Sequence, residues 1–256
     1  TVFLILHVSL KPGANDPVEL KFDDTIIKSS TNHKHLGIFF SDDLKWLTHI
    51  NYMIKQTNKK LGLLRRQAKN LTFAQKCTMY LNIIRPAIEY GSVIYDCCTI
   101  GESMRIEQLQ RKAALTCLGA LKRTETNVLI DTLKWDSLNN RRKLAKLSLF
   151  YTIVRGHAPV YLSGVISNVQ PGIYATRRNA NSNFNVEVTK PRLLRFGKSF
   201  FPGTADLWNK LPDDAKQSTS LLQFKVAVKN HFGFSQNNVS PGSFLHKSKG
   251  KLSLTL

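Results

Sequence analysis

"LKWLTHINYMIKQTNKKLGLLRRQAK" (Leu44–Lys69) is where the chain changes periodicity, and its reading decides the fold. Leu47, Ile50, Ile54, Thr57, Leu61 and Leu64 recur every three or four residues, which lays one apolar stripe along a helix. The other faces carry Lys55, Lys59, Lys60, Arg65, Arg66 and Lys69, with no acidic residue between Lys55 and Lys69. A solvated helical face usually pairs its cations with anions three or four residues away. Six cations without such partners favour a polyanion over plain solvent as what they meet.

Upstream, the texture is that of strands. "VFLILHV" (Val2–Val8) is a short apolar run, and "KPGANDP" (Lys11–Pro17) is dense in turn formers. "VELKF" alternates Val18, Leu20 and Phe22 on one face, and "TIIKS" returns as a second strand. "HKHLGIFFS" (His33–Ser41) supplies another strand with Gly37 inside it, where a glycine marks a bulge or a close backbone approach.

Downstream, helical signals dominate. "TFAQKCTMYLNII" has Thr72 as its N-cap, and Arg85-Pro86 should end or kink it. "EYGSVIYDCCTIGES" (Glu89–Ser103) reads as a turn-rich link, and "MRIEQLQRKAALTCLGA" (Met104–Ala120) as a helix closed at Gly119. "DSLNNRRKLAKLSLFYTIVRG" is a helix capped at Asp136 or Ser137 and closed by Gly156. Residues 157–197 show little periodicity; a short helix between Pro202 and Pro212 and a last one capped near Ser218 follow. The expected fold class is α+β, mainly α. The expected organisation is a β unit over 1–42, a helical domain over 43–156, an extension over 157–232 and a disordered tail over 233–256.

Lys and Arg number 37 against 17 Asp and Glu, a net charge of +20 with a pI near 10.0. Residues 1–42 carry 4 basic and 5 acidic side chains, residues 43–155 carry 20 and 8, and residues 156–256 carry 13 and 4. The basic field therefore begins abruptly after the β unit, and it suits nucleic acid or an anionic surface. Cys77, Cys97, Cys98 and Cys117 show no C-x-x-C spacing, which argues against a zinc site or disulfide framework and for a reducing, intracellular setting without secretion. No apolar run approaches the roughly 20 residues of a membrane span, so no membrane partner is expected. A chain opening on Thr1 and a bare apolar strand reads as a piece of something longer.

Four segments carry a family resemblance. "HKHLGIFFSDDLKWLTHI" is similar to the Lys-Tyr-Leu-Gly segment that follows the palm of LINE-like (non-LTR) retrotransposon reverse transcriptases, including its later Trp and His-Ile pair, here Trp46 and His49-Ile50. "LNIIRPAIEYGSVIYD" resembles their Ile-Arg-Pro-x-Leu-Glu-Tyr segment, "IEQLQRKAALTCLGA" the helix after it, and "LKWDSLNNRRKLAKLSLFYTIV" the Leu-x-Trp-x-x-Leu-x-x-Arg-Arg helix beyond. "SFFPGTADLWNKLP" with "SLLQFKVAVKNHF" resembles the closing segment of jockey-like members, so the likeness covers about residues 1–232. It implies the end of a palm, a helical thumb and a C-terminal extension of an RNA-directed DNA polymerase. The parent enzyme would use Mg²⁺ and deoxynucleotides, and its remaining palm and fingers would be this chain's partners together with an RNA–DNA hybrid.

Phe22-Asp23-Asp24 looks like the carboxylate turn of a polymerase, but its position argues otherwise. The resemblance places that turn several dozen residues before the Lys-Tyr-Leu-Gly strand, whereas Asp24 stands ten residues before Lys34. Two-metal phosphoryl transfer also needs carboxylates on separate elements, and no partner set for this pair is visible. The pair reads as an exposed acidic turn, and no catalytic residue, metal site or cofactor is assigned to the chain.

By resemblance, Lys34, His35, Leu36 and Gly37 form a primer grip, with His35 standing where the family has Tyr. The helix from about Leu44 to Lys69 would be the first thumb helix, its cations set along a template–primer duplex. Arg141 and Arg142, with Lys143 and Lys146, lack an acidic i+4 partner, leaving a phosphate contact and a solvated face both open. Trp46, Trp135 and Trp208 read as core residues, and Glu89 and Tyr90 beside Arg85 as the anchor of a helix junction. Arg177-Arg178 and Lys190–Lys198 are either a second binding surface or a basic loop. The rival to a polymerase fragment is a standalone basic helical nucleic-acid-binding protein.

Overall fold

The computed structural model describes residues 20–22, 25–27, 30–166, 184–188 and 194–234. The Val2–Val8 run, Asp23-Asp24, Arg177-Arg178, Lys190 and the tail after Phe234 lie outside the described residues. The fold is α+β and mainly α. Strands β1 (Leu20–Phe22) and β2 (Thr25–Ile27) pair antiparallel, as do β3 (Asn32–His35) and β4 (Ile38–Ser41). Helices α1 (Leu47–Gln67), α2 (Phe73–Met79), α3 (Arg85–Glu89), α4 (Ser92–Tyr95), α5 (Ile100–Leu118), α6 (Thr126–Leu133) and α7 (Leu138–Val154) follow. The short α8 (Val160–Ser163) and α9 (Leu194–Gly197) precede α10 (Phe200–Asn209), α11 (Asp213–Lys216) and α12 (Leu221–Phe232).

"HKHLGIFFS" is not one strand. It is a hairpin in which His35 faces Ile38 and Leu36-Gly37 form the two-residue turn, with φ of +45° and +83°. Positive φ at both turn positions matches the right-handed twist of the flanking strands, and glycine takes it without steric cost where Leu36 does not.

Of the two outcomes expected at Arg85-Pro86, the helix is distorted there and not ended. Pro86 has no N–H to give, and the chain widens into a π turn over Tyr80–Ile84, with the Arg85 N–H reaching the Tyr80 carbonyl, before continuing as α3. The link after Glu89 holds α4, and α5 starts four residues before Met104. Thr99 and Glu102 cap it reciprocally, Thr99 Oγ1 accepting from the Glu102 N–H and Glu102 accepting from the Thr99 N–H at 2.7 Å. Gly119 closes α5 in the left-handed conformation, as expected. The last helix is capped by Ser220, two residues after the expected Ser218.

Two cores organise the helices. The first joins Ile50, Leu61, Leu64, Tyr80, Ile84, Ile106, Leu109, Leu129 and Trp135 from α1 to the start of α7. The second joins Leu147, Phe150, Tyr151, Trp208, Phe224, Val228 and Phe234. The break expected at residue 156 thus separates no cores, because α7 contributes Leu138 to the first and its later turns to the second. Phe234, assigned to the expected tail, is buried at 7% exposure beside Phe232. Trp135 and Trp208 are buried and Trp46 packs on the first core, so all three tryptophans are structural.

Candidate nucleic-acid interface

The hairpin is held against α1 and the α3–α4 junction by contacts from both sides. His49 in the first turns of α1 is buried, and its Nδ1 accepts the Phe39 N–H at 3.4 Å. Burial holds the His49 imidazole below its ordinary pKa of 6.5, which keeps the ring neutral and able to accept that bond. Tyr90 donates its hydroxyl to the Leu36 carbonyl at 2.7 Å, and its ring lies under Gly37. A Cβ on Gly91, whose φ is +66°, would stand 2.6 Å from Ile38 Cδ1, so the hairpin closes directly onto bare backbone there. Tyr90 and Gly91 therefore act as the seat of the hairpin, which gives the "EYG" of the sequence a physical role.

At the tip, Leu36 is 77% exposed while holding a positive φ. Lys34 is partly committed: its Nζ donates to Tyr52 Oη at 3.1 Å and lies 4.6 Å from that ring's centre. It also faces Phe39, its partner across the ladder, at 5.5 Å. Such cation–π contacts pin an ammonium without neutralising it. His33 and His35 stack on the hairpin surface at 6.3 Å.

Along α1, Lys55, Lys59, Arg65, Arg66 and Lys69 are exposed, and among the described residues none of them pairs with a carboxylate. Lys60 is half-buried and donates to the Ile83 carbonyl at 3.3 Å. Arg65 and Arg66 occupy the last turn of α1, where a cation also complements the helix dipole. A shallow trough runs along this helix, lined by Asn51, Lys55, Asn58, Lys59, Gly62 and Arg66. Beside it runs α5, whose Arg105 and Lys112 the sequence reading does not single out: Arg105 donates to Asn51 Oδ1 at 2.7 Å and Lys112 to Asn58 Oδ1 at 3.5 Å. Both contacts join residues 54 apart, so α1 and α5 run parallel and in register. The signal that would have found α5's true start was the Thr99-x-x-Glu102 capping box.

Arg141 and Arg142 belong elsewhere, and their assignment to nucleic acid is corrected. Arg142 is 3% exposed; its Nε donates to Asp96 Oδ1 at 2.8 Å and its Nη2 to Ser103 Oγ at 2.7 Å. Lys146, 7% exposed, takes the other Asp96 oxygen at 2.5 Å. Arg141 forks onto Glu89, whose carboxylate also lies 3.9 Å from Arg85. From α5, Glu107 accepts the Leu138 and Asn139 N–H groups at 3.2 and 2.7 Å, and Ser137 Oγ accepts that of Asn140, so the start of α7 is capped from two sides. These cations fasten α7 to α3, α4 and α5: Arg142 and Lys146 are buried against Asp96 and half-buried Arg141 is forked onto Glu89, so none stands as an exposed, unpaired cation for a phosphate. The helix-junction reading holds for Glu89, which ties α3 to α7, whereas Tyr90 seats the hairpin instead.

Among the described residues no cluster of three or more His, Cys, Asp or Glu side chains is arranged to hold a metal ion, and no helix is long and apolar enough to cross a membrane. All four cysteines are free thiols. Comparison with family models, curated proteins and solved structures gave no match.

Proposed function

We propose that the chain is the closing part of a LINE-like, jockey-like non-LTR retrotransposon reverse transcriptase, and that it holds an RNA–DNA hybrid while supplying no catalytic aspartates. The family reading rests on the ordered segments from "HKHLG" to "LLQFKVAVKNHF". The parent's palm and fingers would bring the Mg²⁺ site and the deoxynucleotides. A reducing compartment inside the cell suits its four free thiols.

The observation that carries the binding role is the α1 face: exposed cations that pair with no carboxylate among the described residues, on the helix whose His49 holds the hairpin's second strand. Such a face neutralises phosphates without reading sequence, and each neutralised phosphate steepens the salt dependence of binding by nearly one logarithmic unit on a duplex. Exposed Leu36 and Gly37 at the hairpin tip support a contact with a strand backbone, and Lys34 beside them is held by Tyr52.

The test is the affinity of the full chain for an RNA–DNA hybrid across a salt series. Replacing Lys55, Lys59, Lys60, Arg65 and Arg66 with glutamine should flatten the slope by up to about one unit per lost contact. An unchanged slope sinks the assignment. With Mg²⁺ and deoxynucleotides the chain alone should extend no primer; extension abolished by Asp23→Ala and Asp24→Ala would return the catalytic role to that pair. A standalone basic module would use the same face, and a start codon with no upstream polymerase frame would favour it.

A further inference from the structure

We infer that His33 and His35 on β3 form a two-imidazole site for a divalent first-row transition-metal ion; the site rests on strand geometry and not on the nucleic-acid reading above. Side chains two positions apart on a strand leave it on the same face. The two rings therefore stand side by side, while Lys34 between them turns to the other face, where Tyr52 holds it. The ladder pins this arrangement, since His33 faces Phe40 and His35 faces Ile38 across the hairpin.

Both rings are open to a ligand. Their cross-strand neighbours are apolar, and among the described residues neither imidazole makes a hydrogen bond or an ion pair. His35 is exposed and His33 half-buried, so solvent reaches the pair. Their ring centres lie 6.3 Å apart and their planes 27° from parallel. With metal–nitrogen bonds of about 2.1 Å, two imidazoles on one ion set their centres about 5 Å apart. Turning exposed His35 about its own side-chain torsions closes that gap without moving the strand. His49, by contrast, is buried, and His157 and His231 each stand on other parts of the chain.

The donor chemistry selects the ion. Imidazole nitrogen suits Zn²⁺, Cu²⁺ and Ni²⁺, whereas Mg²⁺ and Ca²⁺ take oxygen ligands, which this face of the hairpin does not present from His33, His35, Ile38 or Phe40. Two protein ligands leave the remaining coordination positions to water or to a donor from outside. A chelate closed from His33 to His35 also requires the extended backbone of β3. The bound ion therefore favours the hairpin, a two-stranded unit with little stability of its own.

The experiment titrates the full chain with Ni²⁺ alone, by calorimetry at neutral pH, and repeats the titration on His33→Ala, His35→Ala, His157→Ala and His231→Ala. The first two variants should each weaken binding by about tenfold or more, and the last two should leave it unchanged. No uptake by the natural chain, or uptake as tight in His33→Ala and His35→Ala, overturns the site. The thermal midpoint gives a second readout. Ni²⁺ at about ten times its Kd should raise the midpoint of the natural chain by about 3–6 °C, and that of His35→Ala far less. Equal shifts in the two chains reject the site. No nucleic acid enters either measurement, so a failure here leaves the hybrid reading standing.

Discussion

Two cationic runs, Lys55–Lys69 on α1 and just past its end and Arg141–Lys146 on α7, look alike in sequence and differ in what packing does with them. Neither has an acid at helical spacing. On α7 the partners come from far along the chain: Asp96 from the end of α4, Glu89 from α3 and Glu107 from α5 meet Arg142, Lys146 and Arg141 as the helices pack. On α1, among the described residues, no carboxylate pairs with the run, and apart from Lys60 its cations face outward. The absence of an i,i+4 partner is therefore informative only for a face that packing leaves uncovered.

The sharpest way to break this contrast is to remove one cation from each run. Arg142→Ala should destabilise the chain by about 3–5 kcal/mol, since it leaves Asp96 buried with half its partners. Lys55→Ala should change stability by no more than about 0.5 kcal/mol. Urea unfolding of both variants gives the comparison directly, and similar losses would mean that the α1 run is structural after all.

The hairpin beside α1 offers a second, smaller break. Gly91→Ala should cost about 1–3 kcal/mol, because a left-handed backbone must accept a Cβ that also displaces Ile38. Its binding loss should exceed that of Arg142→Ala under conditions where both variants remain folded, if the seated tip belongs with the α1 face. Tyr90→Phe removes one hydrogen bond to the Leu36 carbonyl and should cost about 0.5–1.5 kcal/mol. An unaltered midpoint in that variant would deny Tyr90 its seating role.

The gentlest probe is pH. Burial holds His49 below 6.5 in the folded chain, so the unfolded chain takes up a proton first as pH falls. Stability contributed by neutral His49 is complete above about 6.5 and is lost progressively below it. A midpoint measured from pH 8 to pH 5.5 should fall at the acid end, and the fall should shrink in His49→Gln. Equal pH profiles for the two chains would show that the imidazole does not gate the docking of Phe39.

Much of this was legible without coordinates. Ile50, Thr57, Leu61 and Leu64 of the α1 stripe, the Thr72 cap, the closure at Gly119 and the core tryptophans follow from local chemistry, because caps, periodicity and glycine stops act within a turn or two; Leu47 is exposed instead, and His49 and Met53 are buried in the stripe's place. The hairpin was misread as one strand because "LG" can serve as a bulge or as a turn, and only pairing across the turn distinguishes them. Helix α6 was passed over although Leu129 and Leu133 stand at helical spacing, since eight residues give too short a period to stand out.

What the sequence determined by itself is the kind of protein: a strongly basic, mainly helical chain after a small β unit, with an exposed-looking cationic helix at its front. Helix periodicity and net charge are local or additive, and need no partner to be read. Tertiary structure decided which cations are free. It buried Arg142 against Asp96, forked Arg141 onto Glu89, brought Arg105 and Lys112 alongside α1, and seated the hairpin tip on Tyr90 and Gly91. Those outcomes depend on contacts between residues tens of positions apart, where burial and charge pairing, not spacing, set what each side chain can still do.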